Sequence, residues 1–101
     1  MVEGLRRVVV TGMGAVTPIG NDVLQYLEGL RSGRNGVGAI TLFDASRHAC
    51  RFAAEVKGFQ TAGWLEAKEV KRWDRFCQFA VVAAKQAVAA SGLRLEGDTQ
   101  A

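Results

Sequence analysis

Four groups of residues in this chain have types and spacings that could do chemistry. Gly12-x-Gly14, directly after a run of valines, has the form of the start of a phosphate-binding turn. Cys77 follows Asp74, a natural helix N-cap, so it falls in a first turn where the helix dipole favours a thiolate nucleophile. His48 and Cys50, two positions apart, could offer two ligands to a metal. Lys68, Lys71, Arg72 and Arg75 stand at i, i+3, i+4 and i+7, so a continuous helix would gather them on one cationic face suited to an acidic partner.

The first three weaken on inspection. A dinucleotide cradle needs its third glycine, but Thr17 occupies that position, and Pro18 and Gly20 delay the next helix to about residue 21. The pyrophosphate mechanism requires the helix N-terminus immediately after the second glycine, with an acidic residue ~20 positions on for the ribose, and neither is present. The short-chain dehydrogenase spacing fails as well, because Pro18 stands where a glycine should be. Cys77 is flanked by Phe76 and Phe79 and shares its turn with Asp74, which opposes a second negative charge; this describes an inert, packed cysteine. His48 and Cys50 have no second ligand pair nearby and read as surface or packing residues. No phosphate loop, hydrolase elbow or acid/base carboxylate pair is present. The basic group has Glu66, Glu69 and Asp74 interleaved with it, so the pattern alone describes a solvated helix with ordinary ion pairs.

The elements around these residues read as α/β in one domain. Val8-Val9-Val10 is an unbroken β-branched run, the pattern of a strand covered on both faces in a parallel sheet. A helix follows, capped by Asn21 or Asp22, with Val23, Tyr26, Leu27 and Leu30 as its core stripe and Gly33 and Gly36 ending it. Residues 33–50 read as loop. Residues 51–57 read as a half-exposed strand at a sheet edge or in a hairpin, with Phe52, Ala54 and Val56 on one side and Arg51, Glu55 and Lys57 on the other. The strongest helix runs from Asp74 to Ser91, with Gly92 as its stop. Twelve of its fifteen residues from Phe76 to Ala90 are apolar, interrupted only by Gln78, Lys85 and Gln86, so it is expected to be buried on most sides. Its alanines would let neighbours approach closely. Two short strands and one amphipathic helix cannot surround it, so the chain is expected to be a fragment or to bury this helix in a partner.

Thirteen Lys and Arg against ten Asp and Glu leave a formal charge of only +3, with no basic run, which argues against nucleic acid. Two cysteines and one histidine fit reduced thiols in a reducing compartment rather than a disulfide scaffold or zinc site. The valine run is too short for a signal-peptide core, and no apolar run approaches the ~20 residues of a membrane span. A cytoplasmic protein without a membrane partner is expected.

The run from Arg7 to Asn21 closely resembles the start of the elongating, type II β-ketoacyl-[acyl-carrier-protein] synthases. The similarity continues in order through Ser32–Val37, Phe43–Ser46, Ala53–Val56 and Lys71–Phe76, and closes at Ser91-Gly92-Leu93. The type I elongating enzymes are close but usually carry serine in place of Pro18. The resemblance implies a thiolase-like fold, two α/β halves stacked as α-β-α-β-α layers in a homodimer, with residues 1–101 forming the first part of the N-terminal half. It implies decarboxylative Claisen condensation of acyl groups with malonyl-carrier in fatty-acid biosynthesis, without a cofactor or metal. The family's nucleophilic cysteine, two histidines and lysine come later than residue 101, so no catalytic residue is expected here and the fragment alone is expected to be inactive. Lys68, Lys71 and Arg72 match positions where the family docks its acidic acyl carrier protein. A polyketide-type ketosynthase, or a chain-length-factor-like or truncated paralogue without the nucleophile, is the alternative.

Overall fold

The computed structural model describes residues 4–93. Its elements are α1 (Val23–Ser32), β1 (Val37–Ala39), β2 (Phe52–Ala54), α2 (Ala67–Arg72) and α3 (Arg75–Ser91). Helix boundaries follow local chemistry. The Asp22 carboxylate accepts from the Gln25 N–H at 2.8 Å, satisfying one of the donors left free at the start of α1. Gly33 (φ 71°) and Gly92 (φ 75°) close α1 and α3 in the left-handed conformation that suits glycine. Asp74 holds the N-cap position of α3 with extended backbone, but its side chain makes no capping bond.

The stretch 33–50 is not all loop. Val37–Ala39 pairs antiparallel with Phe52–Ala54, in the register Val37↔Ala54, Gly38↔Ala53 and Ala39↔Phe52. A three-residue strand centred on glycine carries no alternation to read, and its existence depends on the partner across the loop. The ladder extends through Ile40 N–H to the Arg51 carbonyl at 3.0 Å. Two side chains then fix its ends. The Glu55 carboxylate accepts from Thr41 N–H, Thr41 Oγ1 (2.8 Å) and Leu42 N–H (3.2 Å) on the strand-exit side. Lys57 Nζ donates to the Gly36 carbonyl at 2.8 Å on the entry side. The hydrogen bond from the Thr41 hydroxyl, aided by the two backbone donors and nearby Lys57, holds the Glu55 carboxyl below its ordinary range against a smaller opposing effect of desolvation. The ribbon arrangement fits the hairpin expectation for residues 51–57, but the strand is shorter, and Ala53 rather than Phe52 or Ala54 is its better covered residue.

Burial departs most from expectation. Ala45 and Val82 are the buried apolar residues among the described ones. The accessible surface is 8327 Å², against about 5,600 Å² for a compact monomer of this mass. Val8, Val9 and Val10, expected to lie covered in a sheet, are 90%, 67% and 81% exposed and belong to no helix or strand. A sheet strand is defined by neighbours that accept and donate along its length, and no neighbour pairs with this run among the described residues. Helix α3 buries Gln78 and Val82 and leaves Phe76 69% exposed, so the expected burial on most sides is not met. The α1 stripe is half covered: Val23 and Tyr26 are partly buried, whereas Leu27 and Leu30 are exposed.

What α3 does have is a close contact with the opening run. A Cβ on Gly12 would collide with the Ala87 carbonyl and lie 2.9 Å from Ser91 Cβ. A Cβ on Gly14 would collide with the Ala83 carbonyl and lie 2.9 Å from Gln86 Cβ. Residues 83, 87 and 91 recur every four positions and so form one small-residue stripe along α3. Glycine opposite alanine lets the two backbones meet.

Candidate functional site

The three polar residues that interrupt α3 each tie another segment to it, and one of them positions the basic helix. Gln86 Oε1 accepts from Ala15 N–H at 3.0 Å while its Nε2 donates to the Asn21 carbonyl at 2.8 Å, joining both ends of the opening turn. Lys85 Nζ donates to the Trp64 carbonyl at 2.7 Å. Gln78, buried, donates through Nε2 to the carbonyls of Val70 (3.1 Å) and Trp73 (2.9 Å). A helix end leaves such carbonyls without partners, so Gln78 both satisfies them and sets where α2 sits on α3. In the sequence these residues stand only as breaks in an apolar pattern. Their signal was their isolation: a polar side chain on an otherwise apolar helix needs a partner when it is covered.

Lys68, Lys71 and Arg72 lie together on α2, at spacings that place them on one face, and all three are exposed. Arg75 does not join them. The backbone turns to an extended conformation at Trp73 (φ −104°, ψ 140°) and a separate helix begins at Arg75. The Arg75 guanidinium instead donates to the Val56 carbonyl at 3.3 Å and stacks 4.9 Å above the Phe79 ring. The face of four cations is therefore a face of three, and the fourth cation is structural. The sequence contained the reason: a residue capping one helix at Asp74 cannot also continue the preceding one.

Electrostatics within α2 run along its axis. Glu69 reaches back to accept from the Glu66 N–H at 3.0 Å, placing negative charge at the N-terminal end, while Lys71 and Arg72 occupy the last turn. Lys68 approaches Glu66 at 3.6 Å with both side chains at least 70% exposed, a contact worth little in water. Lys71 and Arg72 form no ion pair among the described residues. Beside them a shallow hollow of about 330 Å³ is lined by Glu66, Lys68, Glu69, Arg72 and Trp73.

The other sequence candidates are placed elsewhere. The opening turn closes on itself, with Thr17 N–H to the Gly20 carbonyl at 2.8 Å and Thr17 Oγ1 donating to the same oxygen at 2.9 Å. The space beside Gly12 and Gly14 holds α3, and the N-terminus of α1 is occupied by the Asp22 carboxylate. A phosphate has no place there, which removes the dinucleotide reading. Cys77 is half buried, and Cys50 is exposed with Sγ 3.4 Å from the Phe52 carbonyl; both thiols are free. His48 packs edge-on against Phe43 at 5.5 Å. Among the described residues no three His, Cys, Asp or Glu side chains gather to hold a metal, and no helix is long and apolar enough to cross a membrane.

Comparison with known proteins decides what this arrangement belongs to. Residues 5–100 match the model of the beta-ketoacyl synthase N-terminal domain. The chain belongs to the β-ketoacyl synthase family. It is 60% identical over 83 residues to 3-oxoacyl-[acyl-carrier-protein] synthase 2 of Synechocystis, covering 82% of this chain and 20% of that protein. It is 43% identical over 94 residues to the protein of the same name from Staphylococcus aureus strain N315, covering 93% of this chain and 23% of the relative. This β-ketoacyl synthase chain thus spans about a fifth of the length of the curated relatives it matches. Among solved structures, the ishigamide ketosynthase/chain length factor superposes with a TM-score of 0.78 at 40% identity, covering 88% of this chain and 22% of that one. A beta-ketoacyl synthase from Burkholderia phymatum superposes at 0.70 and 32% identity, covering 92% and 23%. The resemblance expected from the sequence is borne out, and these neighbours carry the ketosynthase fold assignment. The layered α-β-α-β-α arrangement is not visible in the two short strands of the described residues.

Proposed function

We propose that this chain is the N-terminal part of a 3-oxoacyl-[acyl-carrier-protein] synthase of fatty-acid biosynthesis, cytoplasmic and homodimeric when complete. The observation that carries the reading is the 60% identity to a synthase of that name across most of the chain. In the reaction the resemblance implies, a cysteine thiolate attacks the acyl thioester and the carrier's thiol leaves. Malonyl-carrier then loses carbon dioxide, and the resulting enolate carbon bonds to the acyl carbon as the cysteine is released. That nucleophile and the family's two histidines and lysine match no position among residues 1–101, so no bond-making step is assigned here. The role of this segment is scaffold and docking.

Docking is assigned to Lys68, Lys71 and Arg72, which would meet the acidic acyl carrier protein, loaded with acyl or malonyl groups. Their support is an exposed shared face, two cations without ion-pair partners among the described residues, and a helix held in place by Gln78. Such charges chiefly accelerate encounter and set orientation. Reversing both Lys71 and Arg72 to glutamate in the complete enzyme should raise KM for carrier-linked substrate roughly tenfold, about 1.4 kcal/mol, with kcat little changed. The effect should shrink as salt rises. A KM unchanged at every salt concentration would remove the assignment.

A second reading is favoured by one observation, the similarity to a ketosynthase/chain length factor. In that reading the chain belongs to a paralogue that dimerises without condensing. The residue at the nucleophile position in the continued reading frame separates the two: cysteine supports the synthase, any other residue the paralogue.

A further inference from the structure

We draw no further inference here: the strongest candidate, the apolar hollow of about 310 Å³ between the opening run, the first turn of α1 and the end of α3, lined by Val10, Met13, Val23, Leu24 and Ala90, carries nothing because nothing in the structure shows what covers it.

Discussion

The opening turn and α2 both rest on α3, yet they are held in different ways. The turn is fastened by backbone proximity: Gly12 and Gly14 lie against Ala83, Ala87 and Ser91, and Gln86 bonds to the chain on both sides of Thr17–Gly20. Helix α2 is fastened at one end, by Gln78 to its last carbonyls, and its cationic face remains in solvent. The first attachment tolerates no added atom, whereas the second leaves three long cationic side chains exposed, Lys68 near Glu66 and Lys71 and Arg72 without an ion pair among the described residues. A glycine-rich motif and a basic motif thus divide scaffold from surface on one helix.

Substitutions can break this contrast, and the largest effect belongs to the turn. Gly14→Val would force atoms into the Ala83 carbonyl, and rigid backbone on both sides leaves no way to relax. A loss of about 3 kcal/mol or more is expected in the complete synthase, read as a fall in thermal midpoint or in soluble yield. Gln86→Leu should cost about 1–3 kcal/mol by denaturant unfolding, because it strands the Ala15 N–H and the Asn21 carbonyl.

Gln78→Leu sharpens the comparison further. It should cost a similar 1–2 kcal/mol, and it should also raise KM for carrier-linked substrate several-fold without changing any charge, since α2 loses its seat. If KM stayed at the wild-type value while stability fell, Gln78 would be part of the scaffold only. The smallest effect is expected at Glu55. Its folded-state pKa is lowered, so its contribution to stability is present above the unfolded carboxyl pKa and fades as pH falls through the folded value. Glu55→Gln should therefore lower stability slightly at neutral pH, leave it nearly unchanged in acid, and so flatten the acid limb of an unfolding-versus-pH curve. A limb of unaltered slope would show that the Thr41 contact contributes nothing.

What could be read from sequence was local. Asp22, Gly33, Asp74 and Gly92 mark helix ends because caps act within one turn, and the structure places both long helices between them. Gly12 and Gly14 could be seen as unsuited to phosphate, but their use depends on alanines some seventy residues away. β1 was hidden because its strand character is conferred by Phe52–Ala54 rather than by Val-Gly-Ala itself. The valine run shows the converse: its composition suits a covered strand, and composition cannot supply the neighbours. At the candidate site, Lys68, Lys71 and Arg72 were legible as a face, and the exclusion of Arg75 was implicit in Asp74. The anchoring by Gln78 was not legible, because a hydrogen bond to the end of another helix leaves no periodic trace.

The bond from Ala15 to Gln86 spans 71 positions, which makes it a constraint on birth order as well as on shape. The turn leaves the ribosome before the glutamine that locks it. At 5–20 residues per second, roughly 4–14 s of translation separate the two. Throughout that interval the turn that follows Val8, Val9 and Val10 has no docked helix behind it, so the nascent chain carries an unanchored β-branched segment.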